Sequence, residues 1–165
     1  METIQYIILA FVIILIFGPA IFADRSPVPE TSGNVHKIHK SSELDALLSS
    51  TSHVVIDFYA DWCPPCRAIA PTFSKLADDC ALTGQLAFAK VNVDHVKDVA
   101  KRYNISSMPT FLFFENGEPK PVAITVKKRS APEGTTEERL IEKIQGADTH
   151  LLNGVVQTLA GKVSA

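Results

Sequence analysis

Two cysteines three positions apart sit in the run Trp62-Cys63-Pro64-Pro65-Cys66. Thiol–disulfide exchange needs one thiolate to attack and a second thiol near enough to resolve the mixed disulfide. The C-x-x-C spacing supplies both when it opens a helix. Unpaired N–H groups and the positive end of the helix dipole favour the thiolate at Cys63. Cys66, one turn further in, is shielded and can attack back, and Trp62 and Pro64 would form the rim. The other use of such a pair, half of a zinc site, needs two more ligands. The chain has three cysteines and no second C-x-x-C. His36 and His39 have His-x-x-His spacing but fall on an edge strand far from the cysteines in sequence. The third cysteine, Cys80, lies ~21 Å from Cys66 along a continuous helix. That is too far for a bridge, so it reads as a packed helix-end thiol.

The elements that must hold this pair follow from apolar periodicity. Residues 54–60 (VVIDFYA) form a near-continuous apolar run, the pattern of a strand buried on both faces. The helix beginning near Pro64 turns Ile69, Phe73, Leu76 and Ala77 inward, tolerates proline in its first turn, and should kink at Pro71. Upstream, residues 35–40 alternate, and Ser41-Ser42 could cap a helix carrying Leu44, Leu47 and Leu48. Downstream come a strand over 86–93 and a helix over 95–104 with Val96, Val99, Ala100 and Tyr103 on one face. A strand over 110–114 then runs into Asn116-Gly117, a hairpin signal. A last helix buries Leu151, Leu152, Val155, Val156 and Leu159. Alternating strands and helices argue a layered α/β domain.

The whole chain has 165 residues, 46% hydrophobic, with a formal net charge of -2. Neither a basic stripe nor a Gly-rich phosphate loop is present, so nucleic acid is not expected as a partner. Residues 4–23 (IQYIILAFVIILIFGPAIFA) carry no charge, and as a helix they would extend ~30 Å, enough to cross a hydrocarbon core. Gly18-Pro19 should break that helix, and Ala20 or Ala23 could end a signal peptide. The n-region lacks Lys and Arg, whereas Arg25, Lys37 and Lys40 follow the segment. This favours an uncleaved single-pass anchor with the domain on the cytosolic side; secretion or lumenal release after cleavage is the alternative. Residues 24–34 read as an exposed linker.

The stretch from Val54 to Arg67 (VVIDFYADWCPPCR) resembles the active-site strand and turn of the thioredoxin family. So do Lys90-Val91-Asn92-Val93-Asp94 and Ser107-Met108-Pro109-Thr110-Phe111 on later strands. The resemblance runs from about Val35 to the last helix. It implies a thioredoxin fold, three layers α/β/α around a central mixed sheet, over residues 35–165. It also implies reduction of disulfide-containing proteins without a cofactor, with thioredoxin reductase as electron donor. Cys63 would attack and Cys66 resolve. Asp57, amid apolar residues, would be pushed up in pKa and take the Cys66 proton, with Lys90 contacting it. Substrate would meet Trp62, Pro64, Pro65, a cis Met108–Pro109 bond and Gly146.

Two departures stand out. Pro64 occupies a position where many thioredoxins have Gly, removing an N–H and stiffening the turn. Between Gly117 and Gly146 the chain has roughly twenty residues beyond what the family hairpin needs. The excess, at about 120–140, is charged and reads as a mobile insertion. A lumenal or secreted disulfide oxidant or isomerase, and a non-enzymatic interaction module on the same fold, stand as alternatives.

Overall fold

The computed structural model describes residues 2–21, 26–28, 33–127 and 136–164. Its chain order is α1 (Glu2–Ile21), β1 (Val35–Ile38), α2 (Ser41–Ser50), β2 (His53–Tyr59), α3 (Pro64–Cys80), β3 (Leu86–Asn92) and α4 (Lys97–Arg102). There follow β4 (Thr110–Glu115), β5 (Glu118–Pro119), β6 (Val122–Lys127), β7 (Thr136–Ile141), β8 (Lys143–Gln145) and α5 (Thr149–Val163). The main sheet runs β1-β3-β2-β4-β5, with β8 also on β4. β1, β3 and β2 are parallel, and β4 is antiparallel to β2, β5 and β8. The expected mixed sheet is present.

Strand alternation sorts the core into two layers. Val55 of β2, Phe88 of β3, and Phe111 and Phe113 of β4 pack with Ile69, Phe73 and Leu76 of α3 and with Leu152 and Val155 of α5. Their neighbours Val54, Ile56, Phe58, Ala89, Leu112 and Phe114 face the other way, against Leu44 and Leu48 of α2 and Val99 of α4. With side chains alternating every residue, Asp57 falls in the Val55 row, on the α3 side. Between Val54 and Phe58, β2 is therefore apolar on both faces except at the one position that carries the acid.

Several local expectations need correction. The cap of α2 is Lys40, which makes no side-chain cap bond, rather than Ser41 or Ser42. Instead Glu43, in the first turn, accepts a hydrogen bond from the His39 N–H at 2.8 Å, so the acid satisfies the helix start from within. α4 is confined to Lys97–Arg102, although Val96, Val99 and Ala100 are buried as expected. Pro71 lies inside α3, as read, whereas α1 runs past Gly18-Pro19 to Ile21. The hairpin after β4 forms as read: Asn116 and Gly117 both have positive φ, 51° and 85°, the requirement of a two-residue I′-type turn. On α1, large side chains from Ile4 to Ile14 are exposed. Among the described residues, no helix is long and apolar enough to cross a membrane, so the expected span gains no support here.

The largest correction is the insertion. Residues 128–135 lie outside the described residues, but their flanks form an antiparallel ribbon, β6 on β7, from Val122↔Ile141 to Lys127↔Thr136. Val122, Ile124 and Ile141 are buried in the layer that holds α3 and α5. The apolar alternation Val122, Ile124, Val126 makes one face of β6, whereas Glu137, Glu138 and Arg139 of β7 are exposed. The ribbon splits the edge of the sheet. β5 pairs Pro119 with Phe114, so an uninterrupted strand would bring Val122 opposite Phe111. Phe111 instead faces Ile144, 22 residues further along. The chain leaves the edge, builds the ribbon, and returns to the same edge. If the ribbon is core, Ile124→Ala lowers unfolding free energy by about 2–4 kcal/mol, and Thr125→Ala on the exposed face changes it by less than about 0.5 kcal/mol. Urea denaturation of both variants checks this; equal, small effects would return the segment to a surface loop.

Candidate active site

Cys63 is the N-cap of α3, and Pro64 and Pro65 occupy the first turn. Neither proline has an N–H, so Cys66 is the first residue of the helix able to donate. Its N–H points to Cys63 Sγ at 3.3 Å, and the Arg67 N–H reaches the Cys63 carbonyl. The Pro64 substitution noted in the sequence therefore removes a donor that is not the one aimed at the sulfur. Cys63 and Cys66 are joined as a disulfide with Cα atoms 5.3 Å apart. Both residues are buried, Cys66 at 1% exposure and Cys63 at 4%.

Around the disulfide, Ala60 and the two cysteines form a small cluster against which Tyr59, Val93 and Met108 pack. The Met108–Pro109 bond is cis, as the resemblance implied, and Met108 lies at the dithiol. Gly146 joins the same region: its N–H donates to the Pro109 carbonyl at 2.8 Å. Its φ of +91° is a conformation that side chains rarely adopt. Ser107 is held from both sides, its carbonyl by the Thr110 hydroxyl and its hydroxyl by Gln145 Nε2. Trp62 is 45% exposed, and its indole N–H donates to Asp94 at 2.8 Å, which fixes the ring on the rim.

Asp57 and Lys90 are register partners in the parallel pair β2–β3. Asp57 is 4% exposed, and its Oδ1 has no hydrogen-bond partner among the described residues. Burial pushes its pKa up to about 7, against a smaller opposing pull from Lys90. Burial also lowers the Lys90 pKa, helped by Lys37 across on β1 and opposed by Asp57. Lys90 Nζ lies 5.7 Å from the Tyr59 ring centre. Asp57, Cys66 and Lys90 line one cavity of about 20 Å³, room for about one water molecule. A neutralisable carboxyl thus shares a cavity with Cys66, the placement a proton acceptor for that thiol requires.

Cys80, at the far end of α3, is a free thiol near Gln157, and burial raises its pKa. His36 and His39 are exposed on and beside β1. The described residues contain no metal-holding group of His, Cys, Asp or Glu. Residues that the sequence reading passed over include Asp61 and its partners. Asp61 Oδ2 accepts from Asn92, its Oδ1 from the Val28 N–H, and its carbonyl from Arg67 Nε. A polar residue directly before the Trp-Cys pair was the one available signal.

The folded state holds the Asp57 proton up to about pH 7, the unfolded chain only to about 4. The stabilisation from that retained proton is complete below pH 4 and is lost as pH rises through 7. Asp57→Asn removes the ionisation. Its stability relative to wild type should therefore rise by about 2–4 kcal/mol between pH 4 and pH 8. Urea unfolding of the oxidised proteins at the two pH values measures the difference, and a pH-independent offset would contradict the buried-acid assignment.

Comparison with known proteins agrees with this geometry. The thioredoxin family profile matches residues 34–145. A thioredoxin-like protein of Fusarium culmorum is 46% identical over 127 residues, covering 77% of this chain and 92% of the relative. A thioredoxin of Neurospora crassa is 42% identical over 128 residues, covering 78% and 88%. The crystal structure of Malassezia sympodialis thioredoxin superposes with a TM-score of 0.58 at 29% identity, covering 80% of this chain and 96% of that one. The chain belongs to the thioredoxin family, with Cys63 and Cys66 as its redox-active pair.

Proposed function

We propose that this thiol–disulfide oxidoreductase reduces protein disulfides in two steps, with electrons returned by a thioredoxin-reductase-type partner. The observation that carries the reading is the Cys63–Cys66 pair at the start of α3, with the Cys66 thiol position sharing a cavity with Asp57. The Cys63 thiolate attacks a substrate disulfide, forming a mixed disulfide and releasing one substrate thiolate. Cys66 then gives its proton to the Asp57 carboxylate, and its sulfur attacks Cys63 Sγ. The second substrate sulfur leaves with the electron pair, and the chain is left oxidised. Two electrons have passed from the dithiol to the substrate.

The other site residues divide by position. Lys90 holds the acid's field from β3. Trp62, Pro64, Pro65, Met108, Pro109 and Gly146 would form the substrate groove, where the Met108 backbone pairs with an extended segment as in strand addition. Tests with the full chain in detergent are direct. With NADPH and thioredoxin reductase it should reduce insulin disulfides, and Cys63→Ser should abolish turnover. Failure of the wild-type chain with the reductase, while dithiothreitol still drives exchange, would move the oxidant or isomerase reading ahead.

The proposal also tethers the domain to a membrane, on its cytosolic side, through residues 4–23. The uncharged run and the exposed apolar side chains of α1 support this. The full chain should resist carbonate extraction from membranes while a chain starting at residue 24 is released. Release of both would remove the anchor, and a mature N-terminus after Ala20 or Ala23 would make the segment a signal.

A further inference from the structure

Three residues upstream of the family domain lie against the active-site end of the sheet. Val28 is 7% exposed although it belongs to a segment with no secondary structure. Its N–H is bonded to Asp61 Oδ1 at 3.1 Å. One residue pair earlier, the Ser26 carbonyl accepts from the Arg67 guanidinium, which also approaches the Ser26 hydroxyl at 3.3 Å. Asp61 and Arg67 flank the dithiol on either side in sequence, and Arg67 Nε is itself tied to the Asp61 carbonyl. The segment is therefore held at two points by the loop that carries the cysteines.

Val28 reaches further than its anchors. Its side chain lines the same cavity of about 20 Å³ as Asp57, Tyr59, Cys66 and Lys90. With Pro27 it also borders the neighbouring recess of Lys37, Tyr59, Asp61 and Lys90. An apolar group in that place separates bulk water from a carboxyl whose Oδ1 has no hydrogen-bond partner among the described residues. The charged and titratable groups around that carboxyl are Lys90 on β3, Lys37 on β1, Tyr59 on β2, Cys66 on α3 and Asp61 beyond β2. None of them comes from the strap, which adds the Val28 side chain at the cavity and the Val28 N–H on Asp61.

We propose that residues 26–28 form a strap in which Val28 is a positioning residue for exchange: it closes the Asp57 cavity to solvent and so governs how readily that acid takes and releases the Cys66 proton. The inference rests on the reading of Asp57 as proton acceptor given above. In the resolving step the proton leaves Cys66 for Asp57, the Cys66 sulfur bonds to Cys63, and the Cys63–substrate bond breaks with the electron pair on the substrate. The proton must afterwards pass from Asp57 to water, and the strap lies on that exit.

The test uses the full chain in detergent. The Asp57 carboxyl is titrated by carbon NMR in the oxidised protein, where the paired cysteines do not titrate. Val28→Ala should bring the midpoint down by roughly one pH unit, toward the ordinary carboxylate range. Val28→Thr, nearly the same shape with a hydroxyl, should move it the same way, and Val28→Ile should leave it at the wild-type value. The pH midpoint of substrate release from the mixed disulfide should move in parallel, with KM for insulin unchanged. An unmoved Asp57 midpoint in both Val28→Ala and Val28→Thr overturns the strap. A moved midpoint with an unmoved release profile instead overturns Asp57 as the acceptor, leaving the sealing of its cavity established.

Discussion

Asp57 lies in the row of β2 side chains that packs against α3, where a carboxylate loses its hydration and, among the described residues, gains no hydrogen bond at Oδ1. Isolated ions in such places are expensive enough that the group usually keeps its proton instead. Lys90 alone does not reverse this, because it is itself partly desolvated and shares its field with Lys37. The surrounding architecture follows from that tension. β2 must be central for the acid to be buried, the parallel register with β3 must bring Lys90 level with it, and α3 must start immediately beyond the strand to put Cys66 in the same cavity. Slipping β2 by one residue would turn Asp57 to the opposite core layer, and slipping β3 would turn Lys90 away from it.

The start of α3 solves a different problem. A helix N-terminus offers about four unpaired N–H groups, and two prolines in the first turn remove two of them. What remains is concentrated: the Cys66 N–H on the Cys63 sulfur. The turn is stiff and its one donor is well aimed, so the sulfur's environment depends less on loop geometry than it would with a flexible residue between the cysteines. The rim is built by side chains from elsewhere, Asp94 orienting Trp62 and the Pro109–Gly146 bond fixing the opposite wall.

How much of this could be read in advance varied with the physics involved. The dithiol, the core strands and the Asn116-Gly117 turn announced themselves because each rests on local chemistry or strict alternation. The acid was legible as an anomaly, one charge inside an apolar run. The ribbon was not, because β7 carries Glu137, Glu138 and Arg139 and gives little sign of the buried partner strand beside it. Asp61 escaped notice because its importance lies in partners 31 and 33 residues away. The strap at 26–28 has no periodicity at all. Its proline-bearing, polar neighbourhood looked like linker, and only the contact of Val28 with the domain distinguishes it.

The divided edge of the sheet has a further consequence, for how the molecule behaves in company. An exposed, continuous outer strand is a template on which another chain can grow a sheet. Here β4 is flanked by two pieces, two residues of β5 and three of β8, with the ribbon leaving between them. The main sheet thus presents no long open edge beyond β4. The interruption that lengthens the chain leaves the outer side of β4 without a partner strand longer than three residues, too short to serve as a template.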